Sequence, residues 1–219
     1  MSRQAIGNAK RRRSAGRSSS TQSSHRDARG EIAYRAARLI AEEGTASFAA
    51  AKQKAARQMG LTGKGSLPDN EEIDAALRSH QSIFQNNSQP HECRVLRQVA
   101  VAGMRWLDRF SPWLVGAVLS GTANRFSQIE LEIVAIDAKR LEMFFLNEGT
   151  PFETRTTRLP KSQWNNSGKD ISIYEISFHD FPIVIAFYAN HAVRVAHHPR
   201  KNIEHAGAQR LEVEALLAM

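Results

Sequence analysis

The sequence predicts an α+β protein in which an N-terminal helical part is followed by a mixed β-sheet with flanking helices. Three observations carry that prediction. From Glu31 to Phe110 apolar residues recur at helical spacing. From Ser127 the pattern changes to strict alternation: Ile129, Leu131 and Ile133 point one way, and Gln128, Glu130 and Glu132 the other. Phe152 to Leu159, Ile171 to His179 and Phe181 to Tyr188 then read as three more strands. The organisation expected is a basic tail over 1–29, a helical region over 30–110 and a sheet domain with a C-terminal helix over 111–219.

The chain opens on an Arg/Ser/Gly-rich segment with almost no large apolar side chains. Such a segment cannot bury enough surface to offset its ordering entropy, so it is expected to be disordered. Of the net charge of +8, the first 30 residues hold eight Lys and Arg against Asp27 alone, a net +7, and the rest of the chain carries +1. Lys10, Arg11, Arg12, Arg13 and Arg17 are the core of this arm. It reads as an electrostatic contact for nucleic acid, as a solvated extension or as an organelle transit peptide. It contains no apolar core of a secretory signal. No run of about 18 apolar residues occurs, so no membrane partner is expected. Cys93 is the only cysteine, which rules out an internal disulfide and fits a reducing, cytoplasmic setting.

Ile32, Ala36, Leu39 and Ile40 make the face of a first helix that Gly44 stops. Ser47 caps a second, alanine-rich helix running to Met59 and closed by Gly60. Lys52, Lys54 and Arg57 make that helix basic, which suits either a phosphate contact or a solvated face. Gly63-Lys64-Gly65-Ser66 only imitates a P-loop, since Gly65 interrupts the required Gly-Lys-Ser/Thr. Asp69 or Asn70 starts a third helix with acids in its first turn and Ile73, Leu77, Ile83 and Phe84 on its apolar side. Val95, Val99, Met104, Leu107 and Phe110 mark a fourth, which must end before Ser111-Pro112 and would pack beside the first strand.

Val115 to Leu119 is a short apolar run ended by Ser120-Gly121, a strand-and-turn signal. Ala138 to Asn147 is helix-like and closed by Gly149. Residues 160 to 170 read as a loop carrying Trp164, and 204 to 219 as an amphipathic helix. His191, His197, His198 and His205 crowd the C-terminal part, but no cysteine or carboxylate spacing completes a metal site among them. Glu130 and Glu132 stand two residues apart on one strand, roughly 6.6 Å at the backbone, within reach of one hard cation such as Mg²⁺. Alternating charges are also the ordinary pattern of a solvated strand face.

These residues, over roughly 94 to 190, resemble the nucleotidyltransferase fold superfamily, that of DNA polymerase beta and the small bacterial nucleotidyltransferases. Gly116-Ala117 stands where that family carries Gly-Ser at the end of its first strand. Gly121-Thr122-Ala123 matches a common turn, and Ser127-Gln128-Ile129-Glu130-Leu131 stands where Ser-Asp-Ile-Asp-Leu would be. A closer resemblance is to small bacterial proteins of unassigned function that share Leu-Val-Gly-Ala-Val-Leu-x-Gly-Thr-Ala-x-x-x-Ser, here Leu114 to Ser127, and a similar N-terminal helical part. Against the superfamily pattern, Ala117 replaces the serine, Gln128 the first aspartate and Glu130 the second, while the third carboxylate position falls near Val184.

The resemblance implies a nucleotidyltransferase-like protein with a degenerate metal site, acting as a nucleotide- or nucleic-acid-binding module, with a protein partner for the helical region as a further expectation. The alternative it leaves open is a metal-dependent nucleotidyl- or phosphoryl-transfer enzyme. Glu130 and Glu132 would then be the catalytic carboxylates holding Mg²⁺. Gly116, Ala117, Gly121, Thr122, Ser127 and Gln128 would line the nucleotide, and Arg125, Lys139 and Arg140 would meet its phosphates.

Overall fold

The computed structural model describes residues 27–44, 47–60, 67–158, 170–197 and 207–218. Most of the basic tail, the Gly63 to Ser66 loop, Trp164, His198 and His205 lie outside the described residues. The fold is α+β, with helices preceding a five-stranded mixed sheet, and it divides into two compact units between Gln85 and Asn86. The fourth helix therefore belongs to the sheet unit, not to the helical region that the sequence reading ended at 110. Its buried side explains this: it packs into the core of the sheet.

The first unit holds α1 (27–43), α2 (Phe48–Gln58) and α3 (Asn70–Phe84). Its core is built from small side chains, Ala33, Ala36, Ala51, Ala55 and Ala56, around Ile32, Leu39 and Ile73. Ser47 Oγ accepts the Ala50 amide at 3.2 Å and caps α2. Asp69 caps α3 in a reciprocal box with Glu72. Arg29, which the sequence reading placed in the tail, already lies in α1 and ion-pairs with Glu72 at 2.7 Å. Ile83 and Phe84, expected on the apolar side of α3, are exposed. Ile83 falls off the Ile73–Leu77 stripe at 3.6 residues per turn, and Phe84 rests its ring against His80.

The second unit begins with α4 (Gln89–Trp106) and a 3₁₀ turn at Asp108–Phe110. Then come β1 (Trp113–Val115), α5 (Gly116–Ser120), β2 (Ile129–Val134), α6 (Ala138–Asn147), β3 (Phe152–Arg158), β4 (Asp170–Phe178), β5 (Phe181–Tyr188), α7 (His191–His197) and α8 (Arg210–Ala218). The strand order is β1-β2-β5-β4-β3, with β2 and β5 parallel and the other neighbours antiparallel. One face carries Leu114, Leu131, Ile185 and Tyr174 in register and is buried by Leu96, Ala100 and Met104 of α4, Phe145 of α6 and Val213 of α8. The opposite face carries Val115, Glu130, Val184, Glu175 and Glu153 across the five strands, and α7 covers part of it through Val193.

The expected strand over Val115 to Leu119 is corrected. The extended chain ends at Val115, because Gly116 takes φ +70, and a single helical turn follows. Five residues cannot hold a helix on their own. Here the surroundings hold it: the Ala117 carbonyl accepts the amides of Gly121, Thr122 and Ala123 at 3.0 to 3.1 Å. Arg97 of α4 donates Nε to the Val118 carbonyl and Nη2 to the Leu119 carbonyl.

Candidate functional site

β2 brings Glu130 and Glu132 to the same face of the sheet, as their spacing requires, but into different surroundings. Glu130 is exposed at the start of the strand, opposite Val115 on one side and Val184 on the other. Its carboxylate lies over Gly116: a Cβ on that glycine would stand 2.7 Å from the Glu130 carboxyl carbon. Gly116 is thus required twice, by its positive φ and by this close approach.

Glu132 is 2 % exposed. Its Oε2 accepts Arg194 Nε at 2.6 Å, in an ion pair whose side chains are each 3 % exposed, and its Oε1 accepts the Tyr188 hydroxyl at 3.2 Å. The Arg194 guanidinium lies 4.8 Å from the centre of the Trp113 ring, the residue paired with Glu132 across β1. Burial, reinforced by the Glu132 carboxylate, pushes the Tyr188 hydroxyl well above the ordinary phenol range and keeps it a proton donor. The reading of Glu132 as half of a wet carboxylate pair is corrected. A buried carboxylate needs a compensating charge, and Arg194 supplies it from α7, 62 residues away.

The loop between α5 and β2 is also committed internally. The amides of Gly121 and Thr122, in the turn expected to line the nucleotide, are spent on the Ala117 carbonyl. Thr122 is buried and its hydroxyl pairs with Ser120 at 2.9 Å. Ser127 precedes the strand rather than opening it, and its hydroxyl accepts the Asn124 amide. From α4, Gln89 Nε2 donates to the carbonyls of Gly121 and Ala123 at 2.8 and 2.7 Å. Gln128 is exposed. Arg125 is exposed too, with its guanidinium 4.7 Å over the Phe126 ring. Lys139 and Arg140 stand exposed at the start of α6, the helix that packs on the other face of the sheet through Leu141 and Phe145. Lys139 and Arg140 are therefore carried by a helix on the face opposite to Glu130.

Burial and solvent loss push the Cys93 thiol upward, as for a packed cysteine rather than a reactive one. Among the described residues no three His, Cys, Asp or Glu side chains come together as a metal-binding group. Glu132 held by Arg194, with Val184 across from Glu130, does not fit a Mg²⁺ ion shared between the two glutamates. Sequence reasoning missed Arg194, Tyr188, Gln89 and Arg97. The signals open to it were the isolated Arg194 in an otherwise apolar stretch and Gln89 just before Pro90. No family model, curated protein or solved structure matches this chain. Among the described residues no helix is long and apolar enough to cross a membrane.

Proposed function

We propose that this chain is a catalytically silent binding module on a nucleotidyltransferase-like sheet, and that it takes single-stranded nucleic acid through its basic N-terminal segment. The observation that carries the silent reading is the buried Glu132–Arg194 pair. In a metal-dependent transferase the second strand's carboxylates hold a divalent cation that neutralises substrate phosphates. Here Gln128 stands at the first of those positions, and Glu132, the other carboxylate beside Glu130 on that face of β2, is already neutralised by the Arg194 guanidinium, while the amides of Gly121 and Thr122 close on the Ala117 carbonyl. The binding reading rests on charge: residues 1–26 hold seven Lys and Arg and no acid, a net +7.

Two measurements test this reading. Calorimetric titration of the full chain with ATP and Mg²⁺ is expected to show no metal-dependent binding. Clear binding that disappears in Glu130→Gln would restore the enzyme reading. Titration with a labelled single-stranded RNA over a salt series is expected to show affinity falling steeply with salt. Deleting residues 1–26, which leaves Arg29 and α1 in place, is expected to lower the magnitude of the log–log salt slope by up to about 5, the value for seven cations on a single strand. An unchanged slope rules out the arm as the contact.

A further inference from the structure

We propose that β3 is the seam of an antiparallel homodimer in which Glu153 of each chain faces Arg155 of the other. The two ends of the sheet differ. At the β1 end the strand is three residues long, and its backbone is already covered: the Leu114 amide donates to the Ala208 carbonyl at 2.8 Å and the Ala208 amide to the Leu114 carbonyl at 2.9 Å. At the other end β3 runs seven residues in unbroken register with β4 and pairs with no other strand among the described residues. Six of its seven side chains are exposed. It has no proline, bulge or lysine; its charges, Glu153, Arg155 and Arg158, are of both signs, and three of its residues are threonines with high strand propensity. Such an edge presents a row of backbone donors and acceptors to another strand.

The charges choose the occupant and the register. On one face of β3, Glu153 stands directly across from Glu175 of β4, an unfavourable like-charge pair. Arg155, two residues along the same face, is taken by Glu175 at 2.9 Å, and Glu153 has no ion-pair partner among the described residues. A second copy supplies what is missing. Two antiparallel copies of β3 related by a twofold axis at Thr154 place Glu153 opposite Arg155 twice. An axis one residue either way would set Arg155 against Arg155 or Glu153 against Glu153, so the strand is self-complementary in one of these registers only. The overlap spans Phe152 to Thr156, a small seam in the weak-association class below about 1,200 Å².

The test uses the full chain. Analytical ultracentrifugation over a concentration series is expected to show a reversible monomer–dimer equilibrium. Glu153→Arg is expected to abolish the dimer with no loss of thermal midpoint, because it removes the opposition to Glu175. The double variant Glu153→Arg with Arg155→Glu swaps both charges and is expected to restore the dimer. Thr154→Cys places two thiols on the axis, where paired strands bring Cα atoms to about 4.5–5.5 Å, within disulfide reach. It is expected to crosslink under mild oxidant. Thr157→Cys, whose two copies would lie about 20 Å apart, is expected to stay monomeric, and Cys93 is buried. A wild-type chain that stays monomeric at every concentration, a dimer that survives Glu153→Arg, or equal crosslinking of the two cysteine variants overturns the proposal.

Discussion

Glu132 keeps its charge inside the protein because Arg194 supplies the opposite one at 2.6 Å and Tyr188 adds a hydrogen bond at 3.2 Å. Removing one partner leaves the other buried and uncompensated, which costs about 3–5 kcal/mol. Glu132→Gln is therefore expected to lower unfolding stability by about that amount. Glu130→Gln, on an exposed position, is expected to stay within about 0.5 kcal/mol. Replacing both buried partners by apolar residues, Glu132→Leu with Arg194→Met, is expected to recover most of the loss, since a well-packed apolar pair avoids the desolvation cost. Urea denaturation of the four proteins measures this; a Glu132→Gln protein as stable as Glu130→Gln would show that the ion pair is not held dry. Gly116 is the second sensitive residue. Gly116→Ala forces a side chain into the left-handed region, at about 1–2 kcal/mol, and drives its Cβ into the Glu130 carboxylate. Adding Glu130→Ala is expected to relieve the second penalty but not the first, so the double variant is less destabilised than Gly116→Ala alone.

The turn of α5 and the loop after it exist because α4 reaches across to them. Gln89 donates to two carbonyls and Arg97 to two more, which satisfies backbone acceptors that a five-residue helix leaves open. Gln89→Leu removes the donor and leaves carbonyls without partners, at about 1–3 kcal/mol. Local opening is the expected consequence: exchange of the Thr122 and Ala123 amides should accelerate more than exchange in the centre of β5, as followed by hydrogen–deuterium exchange. Equal acceleration everywhere would mean that the loop opens only with the whole unit. This element also bears on function. A loop whose amides close on Ala117 is rigid and self-satisfied, whereas a phosphate cradle needs amides directed at the ligand.

The packing of the whole sheet unit sets its pH response. Tyr174 is fully buried, and burial, with a 2.9 Å hydrogen bond to Glu142, raises its hydroxyl to about 12; Tyr188 is raised further. An unfolded phenol loses its proton near 10.0, so above that pH the unfolded state releases protons that the folded state still holds. The stabilising contribution is therefore complete below pH 10 and declines as the pH rises from 10 towards 12. Chemical denaturation across that window is expected to show falling stability, and Tyr174→Phe to shallow the fall. A slope unchanged by the substitution would place the alkaline loss elsewhere.

Local chemistry was readable in advance wherever neighbours in sequence are the cause. Strand alternation fixed that Glu130 and Glu132 share a face, and runs of apolar, aromatic and β-branched residues located β3, β4 and β5 to within a residue at each boundary. The Ser47 cap, the Asp69 box and the helix from Ala138 to Asn147 followed from short-range hydrogen bonding. Three features were not readable. The run from Val115 to Leu119 has strand composition, yet Gly116 and the α4 side chains turn it into helix. α4 looked like part of the helical region, but its buried stripe completes the sheet core. Glu132 looked solvated until α7 carried Arg194 over it. Periodicity reports which side of an element a residue occupies. Whether that side is wet, and whether a carboxylate there meets a metal, a phosphate or a guanidinium, depends on segments that only folding brings together.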